Sequence, residues 1–67
     1  MTFKLKYRNT EEIREIPNEK YTIRDLISEL LLSPQTIVPK QNGEIVIEDT
    51  IINENDEIQL IQIIYGG

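Results

Sequence analysis

Phe3, Leu5 and Tyr7 alternate with Lys4, Lys6 and Arg8, a period of two that predicts a strand with one buried and one charged face. Asn9-Thr10 supplies a turn, and Glu11 to Ile16 reads as a second strand closing an N-terminal hairpin. Ile13 and Ile16 fall out of strict alternation, which predicts a bulge or an early end near Ile16-Pro17. From Tyr21 the period changes. Ile23, Leu26, Ile27, Leu30 and Leu31 recur at helical spacing and make one apolar stripe. Thr22 is placed as the N-cap, Asp25 takes the acidic position of a capping box, and Tyr21 and Leu26 hold the two positions of a hydrophobic staple. Ser33-Pro34 stops the helix after about nine residues, because proline cannot continue it and restricts the residue before it.

Thr36 to Lys40 suits a third strand, at an edge or locally irregular because Pro39 has no backbone donor. Asn42-Gly43 matches a type I′ hairpin turn, and Ile45-Val46-Ile47 returns as a short fourth strand. Glu48-Asp49-Thr50 is polar, Ile51-Ile52 is expected to tuck as an apolar pair under the loop, and Asn53 to Asp56 turns the chain. The final strand runs from about Glu57 to Ile64. Ile58 and Leu60 share one face with Gln62 and Ile64, while Gln59, Ile61 and Ile63 share the other with Tyr65. A strand apolar on both faces is sandwiched or presents one face to a partner. One helix covers only one side of a sheet. The predicted fold is therefore α+β, a β-grasp (ubiquitin-like) architecture in which one helix packs across a mixed four- to five-stranded sheet. The final strand is central in it and parallel to the first, and a single domain spans residues 1–67.

Composition narrows the chemistry. Sixty-seven residues make one small domain. With neither cysteine nor histidine, thiolate zinc sites, disulfides and imidazole-based catalysis are excluded. No apolar run approaches the roughly 20 residues of a membrane helix, no signal-peptide pattern opens the chain, and a cytoplasmic location is expected. Residues 1–33 balance six cations against six carboxylates, so the net charge of −5 arises from residues 34–67, where Lys40 stands alone against six acids. Nucleic acid needs clustered Lys and Arg and is not expected as a partner. An acidic half is suited to a partner with a basic groove or simply to solubility.

The apolar final strand ends in Gly66-Gly67. At the usual glycine frequency of about 7%, such a terminus arises by chance in roughly 0.5% of chains. Residues 64–67, extended at about 3.3 Å each, span on the order of 13 Å. That is long enough to carry a carboxylate into an enclosed active site, and glycines let the channel be narrow. Residues 65–67 are expected to form a flexible tail.

In length, element order and the run Asp56 to Gly67, the chain resembles the ubiquitin-like sulfur-carrier family of MoaD/ThiS type and the related small archaeal modifiers. Leu32-Ser33-Pro34 and Asn42-Gly43 resemble the small-modifier branch. It departs from the molybdopterin carriers in lacking prolines at Gln62-Ile63-Ile64-Tyr65, and from the thiamine carriers in its Glu44 to Ile52 loop. The resemblance implies that Gly67, reached through Gly66, is the working group. Its carboxylate would be adenylated by a separate ThiF/MoeB-like enzyme of ubiquitin-activating type, which uses ATP and magnesium. Conversion to a thiocarboxylate would then serve sulfur transfer to an acceptor enzyme in thiamine, molybdopterin or tRNA thiolation. Attack by a substrate lysine would instead give an isopeptide conjugate. The chain itself would be no enzyme and hold no cofactor.

Gln59, Ile61, Ile63 and Tyr65, beside Lys4 and Lys6, are the candidate docking face. Glu54, Asp56 and Glu57 are weak metal candidates, being turn carboxylates expected to be solvated, and Glu11-Glu12 is weaker still as an acid–base pair. Lys4, Lys6, Lys20 and Lys40 are candidate conjugation acceptors. The alternative function is a β-grasp interaction module whose Gly-Gly end is incidental.

Overall fold

Where the period of two is strongest the chain forms β1 (Thr2–Tyr7), which turns through Arg8 and Asn9 into β2 (Thr10–Glu15) in a regular antiparallel register from Thr2↔Glu15 to Tyr7↔Thr10. The computed structural model describes residues 1–63. Of the two arrangements expected here, a bulge or an early end, the early end is the one that forms. β2 simply stops at Glu15, and Ile16 donates its N–H to the Met1 carbonyl at 2.8 Å and packs against the core. Ile13 is exposed because it faces outward opposite Lys4.

Helix α1 (Ile23–Glu29) starts as its sequence dictates. The Thr22 side chain accepts from the Asp25 N–H, and the Asp25 carboxylate accepts from the Thr22 N–H, completing the capping box. The two next free donors are satisfied by the loop that follows Ile47: Ile23 N–H reaches the Thr50 carbonyl at 3.0 Å and Arg24 N–H the Glu48 carbonyl at 2.8 Å. Ile52 N–H then donates to the Tyr21 carbonyl at 2.9 Å. That stitching buries Ile52 but leaves Ile51 exposed, so only half of the expected apolar pair is tucked under.

α1 is seven residues, not nine, and proline does not stop it. Leu31 adopts φ +59°, its N–H bonds the Ser28 carbonyl, and Leu32 N–H bonds the Ile27 carbonyl. This is a Schellman ending, built three residues before Pro34. It throws Leu31 out of the apolar stripe to 92% exposure. A short 3-10 helix over Pro34–Thr36 leads into β3 (Ile37–Gln41), the Asn42-Gly43 turn and β4 (Glu44–Ile45). β4 is only two residues, shorter than the expected Ile45–Ile47. After a long loop, β5 (Glu57–Gln62) completes the sheet. The predicted end of that strand at Ile64, and the expected tail at 65–67, lie outside the described residues.

The strand order is β2-β1-β5-β3-β4, with β5 parallel to β1 and antiparallel to β3. Pro39 is thus not on an edge, one of the two arrangements expected of it. The bonds Asn42 N–H to the Glu57 carbonyl and Ile63 N–H to the Thr36 carbonyl fix which β3 residues exchange bonds with β5. By alternation, Pro39 opposite Leu60 is not one of them. Its missing donor therefore faces β4, where its carbonyl still accepts from Val46 N–H at 3.1 Å and where the ladder ends. The core lies on one side of the sheet. Phe3, Leu5, Ile37, Ile58 and Leu60 meet Tyr21, Ile23, Leu26 and Ile27 of the helix segment and Ile52 of the loop.

Candidate functional site

The opposite side of the sheet has no helix over it among the described residues. Register places Lys4 and Lys6 of β1, Glu57, Gln59 and Ile61 of β5, Val38 and Lys40 of β3 and Ile45 of β4 on this outer face. Gln59 sits between Lys6 and Lys40, and Ile61 lies opposite Val38. Ile61 and Ile63 are 38% and 39% exposed, against 0% and 2% for Ile58 and Leu60 on the inner face. Three of the four predicted docking residues, Gln59, Ile61 and Ile63, are therefore grouped and accessible. Ile63 is held by its N–H to the Thr36 carbonyl at 2.7 Å. Tyr65, Gly66 and Gly67 lie outside the described residues.

Two of the lysines beside this face are neutralised. Lys4 pairs with Glu11 at 3.2 Å and Lys6 with Glu57 at 3.3 Å. Ion pairing also breaks up the acidic half that the sequence suggests. Arg24 holds both Glu48 and Asp49, and Lys6 takes Glu57. Asp56 is 9% exposed rather than solvated. Its carboxylate accepts from Gln41 Nε2 at 2.7 Å, Asn42 Nδ2 at 3.0 Å and Asn53 N–H at 2.8 Å, while Asn42 Oδ1 accepts from Glu57 N–H at 2.9 Å. Asp56 is thus the peg that fixes the β3–β4 turn to the start of β5. Its oxygens are taken by donors, and among the described residues no three His, Cys, Asp or Glu groups converge to hold a metal.

Sequence reasoning missed a second constellation where β5 ends. Arg8 was expected on the outer face after Lys6, but it occupies the β1–β2 turn at φ +55°. Its guanidinium lies 5.2 Å over the Tyr7 ring and its Nη2 donates to Gln62 Oε1 at 3.2 Å, the oxygen that also accepts from the Tyr7 hydroxyl at 3.3 Å. Lys6, Arg8, Gln59, Leu60, Ile61 and Gln62 line a shallow hollow beside it. Ile45 was also missed as a surface residue, although the hairpin through Asn42-Gly43 places it directly opposite Lys40.

The same fold occurs in known structures. SAMP1 from Haloferax volcanii superposes with a TM-score of 0.75 at 15% identity, covering 100% of both chains. The thiamine biosynthesis protein ThiS from Geobacter metallireducens gives 0.65 at 17% identity, covering 96% of this chain and 99% of that one. Comparison with curated proteins returns no match. The family model for ThiS matches residues 5–67, from the first strand through the Gly-Gly end. A β-grasp sheet with a central parallel last strand fits a family match across nearly the whole length, and that match establishes that the chain belongs to the ThiS family.

Proposed function

We propose that the chain acts through its C-terminal carboxylate, which a separate ThiF/MoeB-like enzyme adenylates. The Gly67 carboxylate attacks the α-phosphorus of ATP and releases pyrophosphate. Hydrosulfide attacks the acyl-adenylate carbonyl and expels AMP, losing its proton to leave a thiocarboxylate, or a substrate lysine amine attacks the same carbonyl and expels AMP and a proton to leave an isopeptide. ATP and magnesium are bound by the partner, which also supplies the catalytic groups. Gln59, Ile61, Ile63 and Tyr65 dock that partner, and Gly66 and Gly67 enter its active site. The observation that carries this reading is the family match running through Gly67, supported by the exposed isoleucines on the strand that leads to it.

The test is incubation with a ThiF/MoeB-type enzyme, ATP and a sulfur donor, followed by intact mass measurement. Sulfur replacing oxygen at the terminus identifies a carrier, and adducts on other proteins identify a modifier. An unchanged mass favours an interaction module instead. Gly67→Val should keep the circular dichroism spectrum and lose adenylation, since a branched side chain blocks a channel shaped for glycine.

A further inference from the structure

Arg8 occupies a position that a side chain of its kind does not suit. Two-residue hairpin loops that need positive φ favour glycine or asparagine, and the β3–β4 turn obeys this with Asn42 at +53° and Gly43 at +89°. The β1–β2 turn instead puts an arginine at +55°. Retained strain of this sort marks positions where the side chain is needed.

That side chain is also fixed and unneutralised. It is stacked on Tyr7 and bonded to Gln62. Lys4, Lys6, Arg14 and Arg24 each pair with a carboxylate. Arg8 pairs with none among the described residues, in a chain with 12 acidic groups. Lys40, across Gln59, likewise has no carboxylate among them. Six carboxylates are without a cation among the described residues: Asp25, Glu29 and Asp56 are held by hydrogen-bond donors, and Glu19, Glu44 and Glu54 lie toward the other end of the sheet. There Glu19 and Glu54 line a hollow with Met1, Ile16 and Ile52, and Glu44 sits in the hairpin facing the start of β5. β5 is about 20 Å long at roughly 3.3 Å per residue, more than twice the Debye length of about 8 Å at physiological salt. The remote acids are therefore screened from anything that binds at Gln62.

We propose that Arg8, clamped by Tyr7 and Gln62, is a specificity-determining cation that pairs with a carboxylate on the activating enzyme at the point where the C-terminal segment leaves β5. This rests on the reading of Gly67 as the activated group. The occupant is a protein acid rather than the nucleotide, because Gly67 lies five residues beyond Gln62 in sequence, about 16 Å of chain when extended. A planar guanidinium already held in orientation suits a bidentate carboxylate.

The test measures ATP–pyrophosphate exchange by a ThiF/MoeB-type enzyme against carrier concentration, for the wild type and for Arg8→Gly, Arg8→Glu and Arg8→Lys. Glycine relieves the positive φ, so Arg8→Gly should melt at or above the wild-type temperature. It should nonetheless show a KM raised about tenfold, an unchanged kcat and a weaker dependence of KM on salt. Arg8→Glu should raise KM further, and Arg8→Lys should fall between glycine and the wild type. Equal KM values for the wild type and Arg8→Glu, with the wild type active, overturn the role of Arg8 and leave the proposed function standing. A wild type that supports no exchange overturns both.

Discussion

At the scale of single residues, the polar interior decides more than its size suggests. Asp56 is the one buried charged side chain among the described residues, and it satisfies three donors from three segments. Asp56→Ala strands those donors and should destabilise the fold by about 3 kcal/mol in urea titration. A domain of this length has a total stability of roughly 3–10 kcal/mol, so the variant should be partly unfolded at ambient temperature. Tyr21 offers a pH signature. Its ring is buried against Phe3 while its hydroxyl donates to Glu29. Burial first, then that hydrogen bond and the Glu29 charge, push its pKa well above the usual tyrosine range. The folded state therefore holds the proton more tightly than the unfolded chain. The corresponding stability is complete below about pH 10, where an unfolded tyrosine begins to ionise, and is lost as pH rises above it. Chemical denaturation between pH 8 and 11 should show a decline that Tyr21→Phe reduces. These residues also show where sequence is least legible. Asp56 in Asn53-Glu54-Asn55-Asp56 has the composition of a solvated turn, and nothing local reveals that Gln41 and Asn42 will meet it across the sheet.

At the scale of elements, the strongly periodic segments were legible and their ends were not. The capping box at Thr22-Asp25, the hairpin at Asn42-Gly43 and the parallel pairing of the first and last strands follow from local pattern and from the need of one apolar helix face for a sheet. The end of α1 was misread because Pro34 is an audible stop signal, whereas the real stop is a leucine in the left-handed region. Such a residue costs roughly 1–2 kcal/mol relative to glycine in that conformation. Leu31→Gly should therefore stabilise the protein by about 1 kcal/mol, after the entropy that glycine adds to the unfolded chain is subtracted. In a domain this small, that raises Tm by about 4–8 °C. Leu31→Ala keeps the strained φ and should leave Tm nearly unchanged. The edge reading of Pro39 failed for a related reason: proline signals an edge, but β4 is so short that an inner strand can present its donorless side to the end of a ladder.

At the scale of the molecule, the chain is a β-grasp member of the ThiS family, and no helix among the described residues is long and apolar enough to cross a membrane. The proposed working surface is the side of the sheet that α1 leaves uncovered among the described residues. Ile61→Asp puts a charge into the middle of that surface without touching the core. It should keep the urea midpoint within about 0.5 kcal/mol of wild type while raising the KM for adenylation. The acidic half-chain read from sequence did not survive as a surface, because folding brings Arg24 to Glu48 and Asp49 and Lys6 to Glu57. Linear charge division fails whenever segments distant in sequence pair in the fold.

The central place of β5 has a kinetic consequence. Lys4 pairs with Glu57 and Tyr7 with Leu60, so the N-terminal hairpin waits for a strand made some fifty residues later, and contacts so distant in sequence slow folding. Until β5 arrives, β1 and β3 have no neighbour to join them and the helix has half a floor. The strand that completes assembly also carries Gln59 and Ile61. Under the proposed function, recognition of those side chains in their correct spacing makes activation conditional on a completed sheet, so that nascent, nicked or misfolded copies are passed over without a separate checkpoint.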